Sequence, residues 1–82
     1  MRRVEYDPSA RRDLAKLAPH DANAVLSALD AYAANGVGDV KKLQGRRPAA
    51  WRLRVGRHRV LYRIEGSAIV VTAVGDRRDV YR

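Results

Sequence analysis

Cysteine is absent from this 82-residue chain, and histidine is rare. Without cysteine the chain has no disulfides, no cysteine nucleophile and no zinc site built on thiolates. Its two histidines, His20 and His58, are too few for a typical zinc site. We therefore expect no metal and no other cofactor, so that any chemistry has to come from other side chains.

Long apolar runs are also missing. No segment approaches the roughly 18–20 apolar residues needed to cross a membrane, and the N-terminus, MRRVEYDP, contains no secretory apolar segment. An apolar fraction of 46% and a charged fraction of 32% are typical of a globular chain. We expect one soluble, cytoplasmic domain covering residues 1–82, with no membrane partner.

Acidic residues are scarce in the middle of the chain. Seventeen Lys and Arg against nine Asp and Glu give a formal net charge of +8. Residues 40–64 contain no acid, whereas residues 1–40 are nearly balanced in charge. The bases of this acid-free stretch are Lys41, Lys42, Arg46, Arg47, Arg52, Arg54, Arg57, Arg59 and Arg63. Because ordinary surfaces intersperse both signs, this stretch indicates a surface that binds nucleic acid or the ribosome.

The pattern of residues 51–64, WRLRVGRHRVLYRI, predicts a β-hairpin. Apolar and polar residues alternate on both sides of Gly56 and Arg57, and a two-residue loop there fixes the register. Arg54 then lies opposite Arg59, with Arg52 and Arg63 on the same face. The core face carries Trp51, Leu53, Val55, Val60, Tyr62 and Ile64. Since like charges placed opposite each other are destabilising, the arginine face makes structural sense mainly beneath a polyanion or an acidic partner.

The N-terminal half predicts a short strand followed by two helices. The strand covers residues 2–6, and the first helix runs from 8 to about 17, with Asp7 as N-cap. Pro19 breaks this helix, and a second helix with apolar residues at helical spacing runs from about 20 to 35. So short a connection predicts a helical hairpin.

The C-terminal half predicts a loop and three strands. Residues 37–48 form a basic loop, the hairpin follows, and residues 68–74 are apolar enough for a central strand covered on both faces. The order is strand, helix, helix, strand, strand, strand. It predicts an α+β fold of two layers, in which a helical hairpin packs on one face of an antiparallel sheet and the arginine face stays open.

We expect Arg77 and Tyr81 to approach the arginine face from the end of the last strand. Arginines bind phosphate through paired N–H groups and stay charged. Preorganised cations of this kind stabilise the negative charge that gathers in phosphodiester cleavage. A further group has to move protons, and Tyr81 and His58 are the candidates.

Five stretches resemble the RelE/ParE toxin superfamily of bacterial and archaeal toxin–antitoxin modules, on the RelE side. They are YDPSA at 6–10, DL at 13–14, KLQG at 42–45, WRLRVGRHRVLY at 51–62 and VGDRRDVY at 74–81. The resemblance covers essentially the whole chain and implies a βααβββ toxin that cleaves mRNA in the ribosomal A site. The implied reaction is metal-independent attack of the ribose 2′-hydroxyl on the adjacent phosphate, leaving a 2′,3′-cyclic phosphate. The implied partners are the ribosome, mRNA and a cognate antitoxin, which joins a toxin that is monomeric when alone.

The resemblance also implies roles for individual residues. Arg59 would bind the reacting phosphate, Arg77 would stabilise the leaving 5′-oxygen, and Tyr81 would abstract the proton. The residues expected to bind RNA are Arg52, Arg54, Lys41, Lys42, Arg46 and Arg47. Well-studied RelE toxins have lysines at the positions of Arg52 and Arg54, and arginine, with a pKa above about 12, cannot replace a lysine as base. Tyr81 can do so only if the surrounding arginines lower its pKa from about 10.

The same scaffold serves ParE-like toxins, which poison DNA gyrase without being enzymes. The absence of a base-like lysine at positions 52 and 54 keeps that hypothesis open. A catalytically silent member that only binds its antitoxin is a third, weaker alternative.

Overall fold

The computed structural model describes residues 2–76, which form a five-stranded sheet with two helices packed on one face. The strands are β1 (Arg3–Tyr6), β2 (Asp39–Lys42), β3 (Trp51–Val55), β4 (His58–Glu65) and β5 (Ala68–Asp76). The helices α1 (Pro8–Lys16) and α2 (Pro19–Asn35) follow β1 in the chain. The predicted α+β fold with helices on one face is confirmed. No helix within these residues is long and apolar enough to cross a bilayer.

Two details of the predicted sheet are wrong. Residues 39–42, assigned to the basic loop, form the edge strand β2 and pair with β3. The sheet is also mixed, because β1 and β5 run parallel while the other neighbours in the order β1-β5-β4-β3-β2 are antiparallel. Because the chain reverses direction at each connection between successive helices and strands, β5 runs in the same direction as β1. The four residues of β2 have little apolar pattern of their own, and they pair because β3 offers them a free edge.

The helix ends follow the predicted signals closely. Asp7 is extended and Pro8 occupies the first turn of α1, although the Asp7 side chain makes no capping hydrogen bond. Pro19 begins α2 as well as separating it from α1. The α2 helix ends at Gly36, whose φ of 71° is left-handed and whose N–H donates to the Tyr32 carbonyl. Glycine adopts this conformation without a steric penalty.

The hairpin of β3 and β4 has the predicted register. Arg54 pairs with Arg59 and Val55 pairs with His58. Gly56 takes the first loop position with a φ of 59°, the arrangement of a type II′ turn. The core face of this hairpin and α2 form one buried cluster that includes Val25, Leu29, Leu53, Val60 and Tyr62. The arginine face therefore points away from both helices.

Helix α1 is hydrogen-bonded to an irregular part of β5. The pairing of β5 with β4 shifts at Leu61 and Tyr62, which leaves Thr72 as an extra residue, a β-bulge. Ser9 Oγ donates to the Thr72 carbonyl at 2.7 Å, and the Val74 N–H donates to Asp13 Oδ2 at 3.0 Å. Ser9 and Asp13 are four residues apart and therefore share one face of α1. These contacts give the YDPSA and DL stretches a structural role.

Candidate anion-binding site

Arg54 and Arg59 form the centre of the sheet face opposite the helices. They are direct cross-strand partners, so their Cβ atoms are about 4.5–5.5 Å apart. No ion pair to either guanidinium occurs within residues 2–76. Arg54 has Asp39 as its cross-strand partner in β2, and its Nε donates to the Gly56 carbonyl at 3.4 Å, so the repulsion between the two guanidinium groups is only partly relieved. An anion held between them would remove that repulsion.

Arg52 contributes a buried donor on the same face. Its side chain is only 13% exposed, so this part of the face is less open than predicted. Its Nη2 lies 3.4 Å from Oδ1 of Asp39, a carboxylate that the sequence interpretation missed because β2 was assigned to a loop. The buried Nε of Arg52 has no hydrogen-bond partner within the described residues. Such an unmet N–H costs about 1–3 kcal/mol.

Arg63 is already neutralised by two carboxylates. Its Nη1 lies 3.2 Å from Asp7 Oδ2, and its Nε donates to Glu65 Oε2. The hydrogen bond to Glu65, followed by that to Asp7, raises the pKa of Arg63 above its ordinary value. Arg63 therefore ties β4 to the start of α1 and leaves no free charge for a ligand.

The two predicted lysines fall on opposite faces of β2. Lys41 pairs with Arg52 and so belongs to the arginine face. Lys42 pairs with Trp51 on the other face, and its ammonium lies 5.7 Å from the centre of the indole ring. A cation–π contact of this kind stabilises by about 0.5–1 kcal/mol at an exposed site. The structure therefore groups Lys41, but not Lys42, with the arginines.

The other predicted site residues lie away from this centre. Arg46 and Arg47 are exposed in the loop between β2 and β3. His58, a candidate for moving protons, lies on the helix face of the sheet and is 8% exposed. It therefore does not share a face with Arg54 and Arg59. Arg77 and Tyr81 lie outside the described residues.

A five-stranded mixed sheet with a helical hairpin packed on one face is the fold of RelE-like toxins. The RelE–RelB complex from Methanococcus jannaschii matches with a TM-score of 0.78 and 22% identity, covering 95% of each chain. A copper-bound toxin variant from Helicobacter pylori matches with a TM-score of 0.82 and 12% identity over 99% of this chain and 100% of that one.

A RelBE toxin–antitoxin complex from Mycobacterium tuberculosis is 31% identical, with a TM-score of 0.65, over 93% of this chain and 98% of that one. Comparison with curated proteins finds no match. The family model described as ParE toxin of type II toxin–antitoxin system, parDE, matches residues 4–81. The chain belongs to this family, and it is a toxin of a toxin–antitoxin module.

Proposed function

We propose that this toxin is a ribosome-dependent endoribonuclease that cleaves mRNA in the A site. A ribose 2′-hydroxyl attacks the adjacent phosphate, the 5′-oxygen leaves, and a 2′,3′-cyclic phosphate remains. The observation that carries the proposal is the pair of cross-strand arginines on one sheet face, Arg54 opposite Arg59, neither of which has an ion pair within residues 2–76.

The arginines act on the phosphate by electrostatics. Charge gathers on the non-bridging oxygens as the 2′-oxygen approaches, and guanidinium groups already fixed on two strands stabilise it without reorganising. Arg59 and Arg54 contact these oxygens from the two sides of the hairpin, and Lys41 extends the positive surface along β2. Arginine does not act as a base. The proposal therefore assigns proton abstraction to Tyr81 and stabilisation of the leaving oxygen to Arg77.

The test is cleavage of a defined mRNA in a purified translation system, with and without ribosomes. The wild-type toxin should cut at the A-site codon only when ribosomes are present. Arg59→Ala should lower the cleavage rate about 100-fold or more, as expected for removing one transition-state donor. The matched control is Arg3→Ala, because Arg3 lies on the same face at the far edge strand and already pairs with Glu5 at 3.2 Å. Intact message at saturating toxin, or equal loss in both variants, would refute the proposal.

A second candidate function is poisoning of DNA gyrase. It is favoured by the match to the ParE family model and by arginines at positions 52 and 54, which supply no base. A gyrase supercoiling assay with the same protein separates the two functions. Inhibition of supercoiling without RNA cleavage would support the gyrase hypothesis in place of the ribonuclease.

We also propose that a cognate antitoxin lays an acidic segment over the arginine face and so blocks it. The solved relatives from Methanococcus jannaschii and Pyrococcus horikoshii are complexes of RelE with RelB. Arg54 and Arg59, which lack ion pairs within residues 2–76, would receive the carboxylates of that segment.

A further inference from the structure

A second polar cleft lies on the helix side of the sheet, where the end of β5 meets the turn between α1 and α2. It encloses about 610 Å³, and its lining includes Asp13, Lys16, Asp21, Arg57, His58 and Val74. None of these side chains belongs to the arginine face. The proposed function leaves the cleft without a role.

The inner wall of the cleft holds a buried imidazole with unmet hydrogen-bonding capacity. The side chain of His58 is 10% exposed, and neither ring nitrogen makes a hydrogen bond within residues 2–76. Its Nε2 lies 3.5 Å from Asp21 Oδ2, without the geometry of a hydrogen bond. A polar side chain this buried is normally hydrogen-bonded. The wall therefore has the character of a ligand site.

The carboxylates of the wall add further acceptors. Asp21 is 31% exposed, and Asp13 uses Oδ2 for the Val74 N–H, so that its Oδ1 remains available. The cations of the lining lie at the rim instead. Lys16 is exposed, and Arg57 is 80% exposed with its guanidinium 3.9 Å from Asp21 Oδ2. Exposed side chains of this length can swing aside, whereas the wall is fixed by the fold.

We propose that this cleft binds an arginine side chain of the antitoxin. A guanidinium has five donors and no acceptor, which matches a wall made of carboxylate oxygens and an imidazole whose ring nitrogens lack hydrogen-bond partners within residues 2–76. It also binds a carboxylate through two N–H groups, which an ammonium cannot do. A phosphate of RNA would be repelled by Asp13 and Asp21. Residues 2–76 contain no group of three or more His, Asp or Glu side chains that could hold a metal ion.

The two sites of the toxin then have opposite requirements. The arginine face takes anions, from RNA or from the antitoxin, whereas the cleft takes a cation that RNA lacks. A partner that fills both must present acids to one side of the sheet and an arginine to the other. The cleft would thus distinguish the antitoxin from the substrate. This inference rests on the proposed antitoxin partnership, but not on RNA cleavage.

The first test titrates the isolated toxin with N-acetyl-arginine amide and follows the His58 ring and Val74 amide signals by NMR. We expect saturable shifts, tighter binding than for N-acetyl-lysine amide, and at least about tenfold weaker binding in Asp21→Asn. Asp30→Asn, on the exposed side of the same helix, is the matched control and should bind as the wild type does. Absence of saturable shifts, equal binding by Asp21→Asn, or shifts caused instead by a mononucleotide would overturn the proposal.

The second test measures affinity for the cognate antitoxin, purified after co-expression and refolded separately. Asp21→Asn should weaken the complex at least about tenfold. When the antitoxin arginine that occupies the cleft is replaced by alanine, Asp21→Asn should no longer change the affinity of the complex. Equal affinities of Asp21→Asn and Asp30→Asn would contradict the proposal. Because no mRNA is present, failure of the ribonuclease proposal would leave this result unaffected.

Discussion

Replacing Asp13 by alanine tests how α1 holds the end of β5. Asp13 Oδ2 accepts the N–H of Val74 at 3.0 Å, next to the bulge at Thr72. Val74 is 4% exposed, so its N–H has little access to water except through the cleft that Val74 lines. We therefore expect Asp13→Ala to destabilise the folded protein, even though the substitution lies in the middle of a helix.

The expected magnitude follows from the unmet donor. Leaving a buried N–H unsatisfied costs about 1–3 kcal/mol. Alanine has a higher helix propensity than aspartate, which offsets up to about 0.7 kcal/mol of the loss in the free energy of unfolding. A net loss of about 0.3–2.3 kcal/mol would lower the Tm by roughly 1–18 °C, at about 4–8 °C per kcal/mol for a domain of this size. Helix propensity alone predicts the opposite sign.

The assay is thermal and urea unfolding of three proteins, the wild type, Asp13→Ala and Asp13→Asn. Asparagine keeps an oxygen that can accept the Val74 N–H, so Asp13→Asn should lose less than about 1 kcal/mol. Hydrogen exchange of the Val74 amide should accelerate in the alanine variant and much less in the asparagine variant. An alanine variant as stable as the wild type, with an equally protected Val74 amide, would refute the stabilising role of the hydrogen bond between Asp13 and Val74.

Two further predictions concern pH and salt. Burial, followed by the hydrogen bond to Tyr32, raises the pKa of Tyr62 above its ordinary value. Its contribution to stability should be complete below the unfolded-state pKa of about 10 and should fall as the pH rises above it, because only the unfolded chain then releases the proton. Urea unfolding from about pH 9 to pH 11 should show this loss, and Tyr62→Phe should reduce the slope; an unchanged slope would contradict the assignment to Tyr62. The complex with the antitoxin should weaken strongly from low to high salt, since screening reduces the attraction between its acids and the arginine face. Equal affinities at both salt concentrations, measured by calorimetry, would exclude electrostatic capture as the main source of binding.

Local pattern was sufficient for much of the fold. The alternation of residues 51–64 around Gly56 predicted the register that pairs Arg54 with Arg59, because a two-residue turn leaves only one alignment. The Asp7-Pro8 and Asn35-Gly36 signals located helix ends for the same reason, since they depend on backbone geometry within a few residues. The edge strand β2 escaped prediction because its pairing depends on β3 and not on its own sequence.

The contacts of the candidate site were less accessible to sequence reasoning. The alternation placed Arg52 on the correct face, but its burial and its contact with Asp39 depend on β2. Asp21 and His58 lie 37 positions apart, and no local signal brings an α2 carboxylate to the start of β4. Such pairs form only when the helices pack on the sheet. They are long-range contacts, which composition and periodicity do not predict.

By itself, the sequence determined the sign and the location of the charge, the identity of the hairpin and the layered class of the fold. These depend on residue type and on near neighbours. Tertiary structure alone decided which basic side chains stay without a counter-charge, because Arg63 meets Asp7 and Glu65 whereas Arg59 meets no carboxylate within residues 2–76. The physical reason is that an ion pair depends on distance in space, and distance between residues far apart in sequence is set only when the whole sheet and its helices are assembled.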